Sequence, residues 1–198
     1  MTSNRPILIA ATRRIAPIVL LVVALAGCAS SRHRPYQDPN MDFGALRTVA
    51  VLPFSNLTRD NLAAERVRDV FASTLLATGA VYVIPYGEVV RSVGKAGIAT
   101  ASVPATEDIV KLGTALKADG VIVGVVKEYG EVRSGTASGN VVSLSVQLIE
   151  TATGRIVWAG TSTKGGITMK DRLLGGGGAP LNDATEAAVD DILDKMFR

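Results

Sequence analysis

The sequence predicts an α/β sandwich: a mixed sheet of about five strands with flanking helices, in the order β-α-β-α-α-β-β-β-α. Three observations carry that expectation. Two short apolar runs, Thr48–Phe54 and Val81–Pro85, each precede a stretch of helical periodicity; three β-rich segments then follow one another; and a last helical stripe comes after them. No internal repeat is present, so residues 46–198 read as one domain.

Each element has a local reason. Thr48 to Phe54 is an apolar run ended by Pro53 and Ser55-Asn56, the pattern of a strand covered on both faces. From Leu62 to Ala77, the residues Leu62, Val67, Val70, Phe71 and Leu75 fall mostly on one helical face, with Asp60 or Asn61 able to cap the start and Gly79 the end. Val81 to Ile84 repeats the strand pattern, and Glu88 to Lys95 is a short helix limited by Gly87 and Gly97. Thr106 as N-cap, Glu107 and Asp108 at the positive end of the dipole, and a stripe of Ile109, Leu112 and Leu116 predict a helix to about Ala118.

Gly120–Arg133, Val141–Glu150 and Arg155–Thr163 are joined by a Gly/Ser turn and by Thr151-Ala152-Thr153-Gly154, which predicts an antiparallel meander. Asp183 to Phe197 places Val189, Ile192, Leu193 and Met196 at helical spacing behind a possible capping box, Asp183-Ala184-Thr185-Glu186.

Before this domain the chain has a different character. Arg5, Arg13 and Arg14 precede an apolar run from Ile15 to Leu25, and no acidic residue appears before Asp38. That is a signal-peptide profile over residues 1–27: the run is too short to span a bilayer, which takes roughly 20 apolar residues, and Pro17 interrupts it. Leu25-Ala26-Gly27-Cys28 resembles the bacterial lipobox, in which small residues admit the signal peptidase and the cysteine takes the lipid. A lone cysteine is usually a buried structural thiol, but in an exported chain an unpaired thiol is a liability, so Cys28 reads as the membrane anchor. Residues 28–45, polar and broken by Pro35 and Pro39, read as a lipid-anchored linker with neither helix nor strand.

Charge narrows the function. The full chain has 21 Lys and Arg against 18 Asp and Glu, but removing residues 1–27 takes away three arginines and no acid, leaving a neutral domain. With no dense basic cluster, nucleic acid is not expected as a partner.

The runs Thr48-Val49-Ala50-Val51-Leu52-Pro53-Phe54-Ser55-Asn56, Lys111 to Gly124 and Glu150 to Trp158 together resemble the CsgG superfamily of envelope lipoproteins, over roughly Leu46 to Arg198. The resemblance implies the fold more firmly than the task. Pore-forming members carry two long membrane hairpins; here the corresponding places hold what reads as a short loop, Gly130–Asn140, and the glycine- and charge-rich Lys164–Pro180. The pore is therefore not expected to carry over, and an accessory role, or a component of a secretion complex, is.

Catalysis needs converging groups, and these are scarce. The chain's His33 lies in the linker and Cys28 is assigned to lipid, so neither a metal site nor a nucleophile–base pair is expected. Glu107-Asp108 and Asp190-Asp191 read as solvated or dipole-favouring helix residues. Gly175–Gly178 and Gly94-Lys95 lack the hydroxyl residue of a phosphate loop. Tyr82, Tyr86, Tyr129 and Trp158 read mainly as core, with Trp158 or Tyr129 as alternative partner anchors. The expectation is a lipid-anchored, periplasm-facing outer-membrane protein, not an enzyme, without cofactor or small-molecule substrate, that binds an envelope protein or copies of itself.

Overall fold

In the computed structural model, which describes residues 34–169, 172 and 178–197, the chain forms β1 (Tyr36–Gln37), a 3-10 turn (Phe43–Ala45), β2 (Thr48–Val51), β3 (Ser55–Asn56) and α1 (Ala63–Thr78). Then follow β4 (Tyr82–Val83), α2 (Tyr86–Lys95), α3 (Thr106–Leu116), β5 (Gly120–Ser134), β6 (Ala137–Glu150), β7 (Ile156–Gly165) and α4 (Leu181–Phe197). The α/β class and the helix order agree with the sequence, and the sheet is larger: seven strands, ordered β1-β7-β6-β5-β2-β4 with β3 alongside β5.

The two most apolar strands meet at the centre. β2 pairs in parallel with β5, Val51 opposite Ile122, so successive side chains feed opposite faces. Val49, Val51 and Ile122 join a core with Val67, Phe71 and Leu75 of α1 and Val189, Ile192 and Leu193 of α4. Ala50, Leu52 and Val121 join a second core with Val89 of α2 and Ile109, Leu112 and Leu116 of α3. Helices thus cover both faces of the centre, which is why these runs show no polar alternation. Pro53 has no N–H to donate to the ladder, and pairing with β5 resumes at Ser55 and Asn56.

One residue organises the start of β2. Asp119 Oδ2 accepts the N–H groups of Arg47 and Thr48 at 2.9 Å each, its own N–H donates to Thr48 O, and its carbonyl accepts Thr151 N–H at 3.0 Å. Just before it, Lys117 ends α3 in the left-handed region with φ 53°. Thr151 Oγ1 donates to Ala118 O at 2.5 Å, and Gly113 lies so close that a Cβ there would fall 2.3 Å from the Thr151 Cβ.

The structure departs from the sequence reading in several places. Residues taken as a featureless linker contain β1, because the β7 edge offers Trp158 and Ala159 as ladder partners to a segment with no pattern of its own. The Gly130–Asn140 stretch is not a loop: β5 and β6 stay paired from Glu131↔Asn140 to Ser134↔Ala137 and turn at Gly135, whose φ is 61°. The last helix starts at Leu181, two residues early, and Thr185 Oγ1 donates to Leu181 O inside it, so Asp183 forms no capping box. Thr106 is the first helical residue rather than the cap; the capping position is Ala105, whose N–H donates to Asp108 Oδ2 at 3.3 Å. At α1 the expected end holds, with Gly79 closing the helix at φ 64°, but the capping position is Leu62, without a side-chain cap; Asp60 Oδ1 accepts the Leu62 N–H at 2.9 Å in the turn before it.

Candidate functional site

The sequence-predicted anchor, Cys28 with Leu25, Ala26 and Gly27, lies outside the described residues, as do His33 and Gly175–Gly177. What the structure shows is how the segment after it joins the domain. Tyr36 and Gln37 pair antiparallel with Ala159 and Trp158, and Asp38 N–H donates to Val157 O at 2.8 Å. The Asp38 side chain is 4% exposed, receives Asn40 N–H at 2.9 Å and meets Arg155 Nη2 at 2.7 Å. A carboxylate buried to that degree needs such partners. Met41 and Phe43 then pack on the core. The join is thus clamped to the sheet before β2 begins.

No group of three or more His, Cys, Asp or Glu side chains that could hold a metal is present among the described residues. The tightest ionic cluster joins α4 to β7: Asp191 meets Lys164 Nζ at 3.0 Å and Lys195 Nζ at 2.5 Å, and Lys195 also donates to Thr161 O at 3.0 Å. Partial burial pushes the Asp191 carboxyl up, but the hydrogen bonds from Lys195 and Lys164, with the Lys195 charge, overcome it and bring its pKa to about 2. A carboxylate so held is a poor general base at neutral pH, so the cluster is a packing device. The sequence reading, which took Asp190-Asp191 as a solvated or dipole-favouring pair, missed it because Lys164 arrives from β7; Lys195, four residues on in the same helix, is the legible half. Glu107-Asp108 behaves as read, at the head of α3. Gly94 and Lys95 close α2 rather than opening a helix, so they cradle no phosphate.

The aromatics divide differently from expectation. Trp158 is fully buried with its ring against Gly160, and Tyr129 packs on the core, so Trp158 is no partner anchor. Tyr82, at 60% exposure, and Tyr86 are outside, contrary to the core reading. They sit at the free end of the sheet, where β4 is the terminal strand. Tyr82 N–H donates to Arg47 O and Ile84 N–H to Val49 O, so the intervening Val83 amide points away from the sheet. Beside it runs a groove of about 310 Å³ lined by Val51, Arg68, Leu76, Val83, Pro85 and Tyr86 among others. Arg68 of α1, 6% exposed, lies over the Tyr86 ring with its Cζ 3.6 Å from the centroid and pairs with the carboxylate of Asp69.

The sequence of residues 42–197 matches the model of the GNA1162-like lipoprotein family. The chain belongs to that family. Among solved structures, GNA1162 of Neisseria meningitidis shares 20% identity over 76% of this chain and 97% of its own, with a TM-score of 0.54. The PelC dodecamer of Paraburkholderia phytofirmans shares 20% identity over 82% and 96%, with a TM-score of 0.55. Protein CT253 of Chlamydia trachomatis shares 12% over 77% and 96%, with a TM-score of 0.50. At these identities the likeness is one of fold. No curated protein matches the chain. The family match supports a lipoprotein of this kind without reaching specifically to the CsgG superfamily.

Proposed function

We propose that this chain is a lipid-anchored accessory protein of the bacterial envelope that works by binding another protein and carries no chemistry of its own. In this reading residues 1–27 are a signal peptide, Leu25-Ala26-Gly27-Cys28 is the processing site, Cys28 carries the lipid, and Ala29 after it directs the protein to the outer membrane, facing the periplasm. Membership of a lipoprotein family supports the anchor. The observation that carries the binding role is the set of exposed residues Leu76, Tyr82, Tyr86 and Val90 near the edge of β4, which no further strand pairs among the described residues. Exposed apolar and tyrosine side chains next to an unpaired strand edge are the surface chemistry of a protein interface. A photo-cross-linking residue at Tyr82 in intact cells should capture a discrete partner that the same probe at exposed Thr114 of α3 does not. Identical adducts from both positions, or none from Tyr82, refute the reading.

A second reading, a CsgG-like component of a transport complex built from copies of this chain, rests on the two dissimilar open ends of the sheet. β4 ends it on one side, and on the other β7 is paired by β1 only at Trp158 and Ala159 among the described residues. Two such edges meeting head to tail generate a ring when the rotation closes, and the related PelC was solved as a dodecamer. Native mass in mild detergent separates the two: a monomer favours the accessory, a closed multimer the complex.

A further inference from the structure

We infer that the groove between α1, β4 and the start of α2 is a docking site for the carboxyl terminus of an extended apolar peptide of a partner protein. This deepens the protein-binding reading above and rests on it. Three features of the groove point to one occupant. Its floor is the free edge of β4, where the Val83 amide and carbonyl point away from β2 and can pair with one more strand. Its walls are largely apolar, with Leu76 at one end and Val51, Val83 and Pro85 along its length.

The other end is positive. There the Arg68 guanidinium is buried between the helices, stacked on Tyr86, and its Nε is shut off from solvent without a hydrogen-bond partner. Asp69, itself mostly exposed, engages Nη2 alone. An orphaned guanidinium N–H in an apolar setting is a costly arrangement that a carboxylate relieves, with the fork geometry that arginine gives such pairs. At the same end α2 begins at Tyr86 with no side chain capping its first turn, so its free N–H groups add to the positive end of the groove.

The choice of a terminal carboxylate over an acidic side chain follows from topology. β4 runs from Tyr82 toward Pro85, where the missing N–H ends the ladder and α2 turns across the path. A strand laid on the β4 edge, parallel to it as β2 is, has two or three residues of pairing and then must stop. Its last carboxylate arrives beside Arg68. The side chains of its final residues would lie against Val83 and Pro85.

The test uses the purified full chain on an array of random seven-residue peptides shown with free carboxyl ends, against the same peptides as C-terminal amides. Expected is binding to the free-carboxyl set, enriched for apolar final residues, with amides weaker by about tenfold or more. Arg68→Leu should abolish that preference while melting at or above the parent temperature, since it removes a buried unsatisfied group. Should Arg68→Leu fail to fold, Tyr86→Ser, at a ring 40% exposed, should still weaken capture severalfold. No capture, equal capture of amides, equal capture of amidated peptides carrying an internal glutamate, or retained preference in Arg68→Leu overturns the proposal. A partner cross-linked at Tyr82 alongside a negative array would leave the accessory reading standing and this one refuted.

Discussion

Asp38 and Arg155, 117 residues apart in sequence, are joined by a 2.7 Å ion pair whose carboxylate is buried and whose guanidinium is mostly exposed. The pair fastens the segment that follows the proposed anchor to the far edge of the sheet. Removing Arg155 leaves the buried carboxylate with its hydrogen bonds from Asn40 but without its counter-charge, whereas the exposed cation loses little. Arg155→Ala should therefore cost about 1–2 kcal/mol, concentrated locally: amide hydrogen exchange at Tyr36–Asn40 should quicken far more than in the β2–β5 centre. Uniform acceleration would mean that β1 is not a separately opening unit.

The Asp191 cluster sets an acid limit. Its folded pKa of about 2 lies below the ordinary 3.8, so the stabilisation is fully present above about pH 4 and is lost as pH falls from there toward 2. The size is on the order of 2 kcal/mol. Asp191→Asn should flatten that part of the stability–pH curve, measured by urea unfolding at pH 5, 4 and 3. An unchanged slope would show that other carboxylates carry the effect.

Gly113 inside α3 gives a result opposite to helix propensity. Replacing a mid-helix glycine by alanine ordinarily gains up to about 1 kcal/mol, but a Cβ here would sit 2.3 Å from the Cβ of Thr151, which cannot swing away. Thr151 is also bound to the Ala118 carbonyl. Gly113→Ala should lower the melting temperature, by an overpacking cost of roughly 1–3 kcal/mol; a rise would mean that α3 shifts freely over the sheet.

Cys28 tests the anchor directly. Cys28→Ser replaces the nucleophilic sulfur by a hydroxyl, so the variant should take up no radioactive fatty acid and remain as an uncleaved or mis-sorted precursor. Label on Cys28→Ser would end the lipobox reading. Density fractionation of the parent protein checks the outer-membrane assignment.

The β5–β6 hairpin, though longer than the sequence suggested, should form no pore. On one face it pairs Glu131 with Asn140 and Arg133 with Ser138, and the other face carries Glu128 opposite Ser143. Basic groups at a bilayer midplane cost about 2–4 kcal/mol each, acidic ones less. Purified full-length protein should give no stepwise conductance in a planar bilayer; reproducible unitary currents absent from a heat-denatured control would promote the ring-forming alternative.

The elements that the sequence by itself determined are those whose reason is local. The apolar runs at Thr48–Phe54 and Gly120–Val126 had to be buried on both faces, and the stripes of α1, α3 and α4 each needed a core to face, so the class, the helix order and the central strands follow from periodicity. The case for the anchor is equally local, since four consecutive residues make it. What the tertiary structure decided depends on partners far away in the chain. Tyr36-Gln37 has no strand pattern and becomes β1 because the β7 edge supplies its hydrogen bonds. Asp191 reads as one more helix acid until β7 brings Lys164 to it, and Lys195 one turn on completes the clamp. Tyr82 and Trp158 both look like strand aromatics; one lies on a strand that ends the sheet among the described residues, the other in the core that α4 covers. Arg68 and Tyr86 meet because α1 and α2 flank the same short edge. Periodicity tells a residue which face it occupies, whereas the layer that covers that face, or leaves it open, is set by how the strands are ordered across the sheet.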